Sequence, residues 1–271
     1  MPTLKLEIDR EATLMRSFLI GLQFLTRITL ERQTVWTEED FGRSVRWFPL
    51  VGAVLGSIYA LMMFATVELT AGRFPTLEAA TVLLMSTALT GAIHCDGFMD
   101  TFDGLFSGRD RARMLEIMKD SRVGAFGVVS FVMLSMMEFA TLIELARLST
   151  EEFLSALYAM PIVGRLMMVL AIGLFPYARA SGMGKAFADR TDGRTMIFST
   201  VEAMMLMAPV MIVSAEIFLT AMMAALAALA LTVYFGWHAT KKLGGLTGDV
   251  YGAVALLSEL MILIVFLIVR G

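Results

Sequence analysis

Residues 153–175 read FLSALYAMPIVGRLMMVLAIGLF, an apolar run of spanning length in which Arg165 is the only charge. A transmembrane helix needs about 20 consecutive, mostly apolar residues. The pattern therefore predicts an all-α integral membrane protein with about seven transmembrane helices. Because only residues 214–217 separate the fifth and sixth runs, six or eight spans are alternatives. The other six runs are 45–67, 75–93, 124–145, 196–213, 218–237 and 250–269.

The composition supports a chain solvated by lipid. Of its 271 residues, 58% are hydrophobic and 17% are charged, and the mean hydropathy is +0.74. Soluble domains are about half apolar and about a quarter charged. The net charge of −3 gives no reason to expect a nucleic-acid partner. The lone Cys95 excludes an internal disulfide. Residues 1–271 are therefore predicted to form a single polytopic membrane domain.

Residues 12–30 differ from the spanning runs. Their apolar side chains recur at close to helical spacing, with Arg16 and Arg27 beside them. An amphipathic helix of this kind lies in the membrane interface. We therefore predict an N-terminal interfacial helix over 12–30, with an additional span as the alternative.

The placement of Lys and Arg predicts the topology. Segments 1–44, 95–123, 176–195 and 238–249 hold two to six basic residues each, whereas the intervening loops hold at most one. The positive-inside rule places the basic loops in the cytoplasm. The N-terminus is then cytoplasmic, and the protein is predicted to lie in the cytoplasmic (inner) membrane. The active-site loops, predicted at 94–123, 176–195 and 238–249, would share the cytoplasmic face.

The strongest chemical signal is the stretch HCDGFMDTFDG at residues 94–104. Asp96, Asp100 and Asp103 lie at i, i+4 and i+7, so a helix would present all three carboxylates on one face. Like charges on adjacent turns repel, and a divalent cation is the simplest compensation. Oxygen ligands suit Mg²⁺, and Mn²⁺ is a second choice. The alternative is three solvated aspartates at a helix end.

A basic amphipathic stretch, RDRARMLEIMKDSRVG at 109–124, follows the aspartates. Asp120 is a candidate metal ligand, and Arg122 is a candidate phosphate ligand. For the arginines at the start of the stretch, anchoring at lipid headgroups is an equal alternative.

Arg165 is a charge near the middle of an apolar run. Such a residue normally faces the protein interior with a partner. Glu138, Glu144 and Glu202 are candidate partners, and binding of a substrate phosphate is the alternative.

Two further basic-side segments combine glycine with polar residues. Residues 177–187, YARASGMGKAF, contain Arg179 and Lys185, and residues 244–253, GGLTGDVYGA, contain Asp249. Glycine lets backbone N–H groups approach an anion. Flexible connection between spans is the alternative that the residues alone favour.

Six stretches follow one another along the chain: QFLTRI at 23–28, FPLVG at 48–52, the aspartate run, RMLEIMKDSR at 113–122, 177–187 and 245–252. In this order they resemble the cobalamin synthase family, the adenosylcobinamide-GDP ribazoletransferases. The resemblance implies that adenosylcobinamide-GDP is joined to α-ribazole, or to its 5′-phosphate, with release of GMP. It also implies contact with membrane lipid and allows a homo-oligomer or a complex with other cobalamin-assembly enzymes.

The resemblance suggests roles for individual residues. Asp96 and Asp100, with Asp103 or Asp120, would hold Mg²⁺. The remaining member of that last pair would assist the attacking hydroxyl, which makes Asp103 and Asp120 the catalytic candidates. The residues assigned to the substrate are Arg122, Arg165, Arg179, Lys185 and Asp249.

Two other functions are compatible with parts of the pattern. A CDP-alcohol phosphotransferase of phospholipid synthesis also carries Asp-Gly and later aspartates, but it usually has Ala-Arg after the first Asp-Gly, where this chain has Phe98-Met99. A transporter would use intramembrane charge, but transporters commonly show internal repeats, and no such repeat is evident.

Overall fold

The computed structural model describes the backbone of residues 2–30 and 37–271, with side chains from residue 14 onward in those ranges. This part of the chain is all-helical, with no named strand. The α-helices are α1 Pro2–Leu25, α2 Glu38–Ser44, α3 Phe48–Thr70, α4 Pro75–Thr90, α5 Ile93–Leu105, α6 Arg111–Ile117, α7 Ala125–Leu145, α8 Thr150–Leu174, α9 Met183–Ala188, α10 Gly193–Leu206, α11 Ala208–Val213, α12 Ala215–Leu243 and α13 Gly248–Arg270.

The number of spans agrees with the sequence. Six helical segments are long and apolar enough to cross a membrane, and α4 with α5 makes a seventh if this bent pair counts as one span. The six are Glu38–Thr70, Ala125–Leu145, Thr150–Leu174, Gly193–Val213, Ala215–Leu243 and Gly248–Arg270.

Three predicted elements differ in detail from the structure. The N-terminal helix ends at Leu25 instead of residue 30. The second run ends at Thr90, because the chain bends by 90° before α5. The fifth run is interrupted at Met207, where a proline opens α11 and cannot continue the hydrogen-bond ladder of α10.

Helix α8 lies at the centre of the bundle, packed by α3, α12 and α13. Glycines let α3 approach it closely. A methyl group added at Gly52 would lie 2.4 Å from the carbonyl oxygen of Pro161, and one at Gly56 would lie 2.4 Å from that of Tyr158. Small residues at such contacts allow the backbones of membrane helices to approach each other.

Replacing Gly52 by valine is expected to destabilise the bundle by about 1–3 kcal/mol, because the added atoms overlap the backbone of α8. A lower melting temperature in detergent would show this. Gly193→Ala is the matched control, since a methyl group there meets nothing within 4 Å. Equal melting temperatures for Gly52→Val and the wild-type protein would contradict the close packing.

The basic segments meet at one end of the bundle. Arg111 Nε donates to the carbonyl oxygen of Leu243 at 2.6 Å, and Lys242 Nζ donates to that of Leu105 at 3.1 Å. At the opposite end, Arg270 forms ion pairs with Glu152 at 2.8 Å and Glu216 at 3.2 Å. Segments 94–123, 176–195 and 238–249 therefore share one face, which we call the basic face.

Candidate active site

A sharp bend directs the aspartate-bearing helix α5. Gly91 and Ala92 have φ of +63° and +60° between α4 and α5, and the two helices differ in direction by 90°. Arg27 closes the bend, because its backbone N–H donates to the carbonyl oxygen of Leu89 at 2.7 Å. Its side chain occupies the place where a residue 91 methyl group would stand. The QFLTRI stretch thus fixes the geometry from which α5 starts.

The aspartates lie on one uninterrupted helix, as the spacing predicted. Helix α5 packs closely on α13 at Gly97, where a methyl group would lie 2.9 Å from the carbonyl oxygen of Asp249. This contact brings Asp96 of α5 and Asp249 of α13 to the border of one cavity of about 230 Å³. We call it the acidic cavity.

Two loop segments build the rim of the acidic cavity. The backbone N–H of Ala178 donates to the carbonyl oxygen of Leu246 at 2.7 Å, and the N–H of Leu246 donates to that of Pro176 at 2.8 Å. Both glycine-bearing segments identified in the sequence are therefore joined. The two segments are held together by these backbone hydrogen bonds, so they do more than connect spans flexibly.

Arg179 and Asp249 face each other across this rim. Arg179 Nη2 donates to Asp249 Oδ2 at 2.9 Å, and the hydroxyl of Thr247 donates to the same oxygen at 3.1 Å. Thr247 also caps α13, which begins at Gly248. The pair is only partly exposed, at 15% and 22% of the two side chains, so solvent screens it less than an open surface pair.

Negative charge accumulates around Asp100. This half-buried carboxylate lies within electrostatic range of Asp96, Asp103 and Asp249, and the guanidinium of Arg179 opposes their charge. Like charges at this density raise each other's energy unless a cation joins them. The arrangement therefore suits a divalent cation.

The donor set fits Mg²⁺ in its usual form. Mg²⁺ commonly binds one or two carboxylates and completes its shell with water and substrate phosphate. Asp96 and Asp100, one helical turn apart, provide two such carboxylates. Within residues 14–30 and 37–271, no three His, Cys, Asp or Glu side chains are placed to hold an ion by themselves. A centre that includes Asp103 as third ligand stays a prediction.

The Asp103 carboxylate accepts hydrogen bonds from the backbone at the start of α7. Its Oδ2 accepts a hydrogen bond from the N–H of Gly124 at 2.6 Å, and its Oδ1 accepts one from Gly127 at 2.8 Å. A carboxylate at a helix N-terminus satisfies free N–H groups and complements the helix dipole. Both glycines are needed, because a methyl group at either position would overlap the carboxylate. Asp103 thereby fixes α5 relative to α7.

Asp120 and Arg122 pair with each other in the turn before α7. Asp120 Oδ1 accepts from Arg122 Nε at 3.1 Å and Oδ2 accepts from Nη2 at 2.9 Å. The hydrogen bonds from the Arg122 side chain and backbone lower the pKa of Asp120 to about 2. Neither residue borders the acidic cavity. A carboxylate with so low a pKa is a weak general base.

Arg165 pairs with Glu259 of α13, a residue missing from the predicted partners. Both are buried, at 1% and 4% exposure. Glu144 pairs instead with Arg147. Glu138 lines the same second cavity, of about 440 Å³, as Arg165 and Glu259. The structure thus places Arg165 in an intramembrane ion pair and outside the lining of the acidic cavity.

Lys185 is also outside the lining. It forms an exposed pair at 2.8 Å with Asp189, the residue that follows α9. Conversely, the lining includes Tyr177, Phe187 and Tyr251, which the sequence did not single out. All three lie within the glycine-bearing segments 177–187 and 244–253. The aromatic residues of those segments could therefore have been predicted as site residues.

The chain is similar to one family along most of its length. The sequence model of the family described as cobalamin-5-phosphate synthase matches residues 17–267. No solved structure matches the fold.

Relatives named for a single activity agree with that match. An adenosylcobinamide-GDP ribazoletransferase of Desulfitobacterium hafniense is 39% identical over 260 residues, covering 92% of this chain and 96% of the relative. One of Fusobacterium nucleatum is 33% identical, covering 94% and 98%. One of Pseudomonas aeruginosa is 35% identical, covering 94% and 98%. The similarity therefore extends through every element that builds the acidic cavity.

Proposed function

This chain belongs to the cobalamin-5-phosphate synthase family, and from that membership we propose that it is an adenosylcobinamide-GDP ribazoletransferase. It would join adenosylcobinamide-GDP to α-ribazole or α-ribazole 5′-phosphate and release GMP. The observation that carries the proposal within this fold is the convergence of Asp96, Asp100, Asp249 and Arg179 at the basic face. Such a site suits a substrate with a diphosphate group.

The proposed reaction exchanges one bond at phosphorus. A ribose hydroxyl oxygen of the acceptor attacks the phosphorus that carries the cobinamide. The bond from that phosphorus to the bridging oxygen breaks, and GMP leaves with this oxygen and the electron pair. The hydroxyl proton passes to a carboxylate. A diphosphate becomes a phosphodiester plus a phosphate monoester, so atoms and charge balance.

Different residues would bind the metal, bind the phosphate and accept the proton. Asp96 and Asp100 would hold Mg²⁺, which neutralises charge on the diphosphate oxygens when bound. Arg179 offers a guanidinium at the cavity rim for a phosphate oxygen. Asp249 is better placed to take the proton than Asp103 or Asp120, because it borders the cavity. Asp103 accepts two backbone hydrogen bonds, and Asp120 is held in an exposed ion pair.

Product analysis tests the activity. Purified protein, adenosylcobinamide-GDP, α-ribazole and Mg²⁺ should yield adenosylcobalamin and GMP in equal amounts by mass spectrometry. A parallel reaction with the 5′-phosphate acceptor should yield the phosphorylated product. If neither acceptor is consumed by folded protein while GMP accumulates from hydrolysis, ribazole transfer is the wrong assignment.

Removal of divalent metal should stop turnover. With EDTA, product formation is expected to fall at least about 10²-fold, because the diphosphate charge then lacks its main compensation. Excess Mg²⁺ should restore the rate, and Mn²⁺ should support it in part. The melting temperature without substrate serves as the control for unfolding. Full activity after exhaustive chelation would contradict a metal-assisted reaction.

The membrane orientation is part of the proposal. We place the basic face in the cytoplasm of a cell with this protein in its inner membrane, as the positive-inside rule requires. A cysteine introduced at the exposed Asp189 should react with a membrane-impermeant maleimide only after the cells are broken. Labelling in intact spheroplasts would reverse the orientation.

A further inference from the structure

The interior of the acidic cavity differs chemically from its rim. Phe24 and Leu25 of α1, Met168 and Ile172 of α8, and Phe187 of α9 line it alongside the polar groups. These five side chains carry no hydrogen-bonding group other than the weak thioether acceptor of methionine. The cavity therefore combines a charged opening with an apolar, partly aromatic interior.

The size of the cavity limits what enters it. Its volume of about 230 Å³ lies just below the roughly 300–1,000 Å³ of sites that enclose drug-sized ligands. A corrin ring with its side chains is far too large. One bicyclic base fits, with its ribose held at the rim.

Three bicyclic bases take part in the proposed reaction, guanine and adenine in the donor and dimethylbenzimidazole in the acceptor, and the lining distinguishes them. Guanine carries several N–H donors and a carbonyl oxygen, and adenine carries an amino group and three ring-nitrogen acceptors, most of which an apolar interior would leave unpaired. The dimethylbenzimidazole base of α-ribazole has two methyl groups and one ring nitrogen with a free lone pair. Its hydrogen-bonding requirement is therefore a single donor.

The lining provides such donors. The Tyr251 side chain is 2% exposed and lines the cavity, and its hydroxyl has no hydrogen-bond partner among the described residues. Two other lining atoms, His94 Nε2 and Arg179 Nε, are likewise buried without a partner among those residues. A buried hydroxyl without a partner is unusual in native proteins. The centroid of the Tyr251 ring lies 6.5 Å from that of Tyr177, which is also in the lining.

We propose that the acidic cavity is the acceptor site, which takes the uncharged bicyclic base of α-ribazole between α1, α8 and α13, with the Tyr251 hydroxyl donating to its free ring nitrogen. This inference rests on the proposed function. The ribose then lies at the rim beside Asp96 and Asp249, where its hydroxyl meets the diphosphate. The corrinoid and guanosine parts of the donor remain outside the cavity on the basic face.

Variants that act on the base alone test this site. Ile172→Phe fills the interior, and Tyr251→Phe removes only the hydroxyl. Leu170→Phe is the matched control, because Leu170 is on the same helix but lines a separate apolar depression. For each protein, KM is measured for α-ribazole and for adenosylcobinamide-GDP with the other substrate saturating, and the melting temperature shows that the variant is folded.

Ile172→Phe is expected to raise the KM for α-ribazole at least about 10-fold, and Tyr251→Phe about 5-fold, the effect of one neutral hydrogen bond. The KM for the donor should change less than about 2-fold, and Leu170→Phe should resemble the wild-type protein. A rise confined to the donor KM would overturn the proposal and assign the cavity to a base of the donor. Unchanged constants in folded Tyr251→Phe and Ile172→Phe would overturn it as well.

Failure of the proposed function would be seen separately, as absence of product from the wild-type protein. In that case, stabilisation by α-ribazole in thermal unfolding still reports on the cavity. An increase in melting temperature that Ile172→Phe abolishes and Leu170→Phe retains supports the site. No increase in the wild-type protein overturns it.

Discussion

Replacing Asp96 or Asp100 by asparagine is expected to lower ribazole transfer by about 10²- to 10³-fold or more, while the protein still folds and inserts into the membrane. Asparagine keeps the size of the side chain but removes the negative charge that would hold Mg²⁺. Loss of one electrostatic contact to a transition state typically has an effect of this order. The measurement is kcat/KM with both substrates, at several Mg²⁺ concentrations.

The dependence of activity on Mg²⁺ concentration is a second test of this prediction. If the carboxylates hold the ion, the variants should need more Mg²⁺ for half-maximal activity. Glu116→Gln is the control, because Glu116 is an exposed carboxylate on α6 that pairs with Arg113 across the helix surface. Asp96→Asn or Asp100→Asn with near-normal activity and Mg²⁺ dependence would remove the proposed metal site.

Replacing Arg165 by leucine is expected to destabilise the folded bundle by about 3–5 kcal/mol, because Glu259 would be left as an unpaired buried charge. The two side chains are almost fully enclosed where α8 packs on α13. Thermal unfolding in detergent should show a large drop in melting temperature. Arg147→Leu is the control, since its ion pair with Glu144 is exposed, at 59% and 50% of the two side chains, and contributes about 0–1 kcal/mol.

The double variant Arg165→Leu/Glu259→Leu separates structure from substrate binding. Removing both charges should recover most of the stability, because apolar pairs commonly replace buried ion pairs without loss. If Arg165 acts only through Glu259, activity should recover with stability. A stable but inactive double variant would instead support the sequence-based prediction that Arg165 steadies the diphosphate.

The aspartate motif shows where sequence reasoning succeeded. Helical periodicity is a local property, so the i, i+4, i+7 spacing placed Asp96, Asp100 and Asp103 on one helical face, and α5 is indeed unbroken across them. The same reasoning could not show that Asp103 caps α7, because that contact depends on how α5 and α7, which are separated in the chain by α6, pack together.

The chain itself determined its membrane class, its approximate number of spans and the separation of basic from non-basic loops. Each depends on the length of an apolar run or on charge counts within a loop. Tertiary structure alone decided the 90° turn into α5, the choice of Glu259 as the partner of Arg165, and the cavity between α1, α8 and α13. Those features arise from close contacts between segments far apart in sequence, which no local pattern encodes.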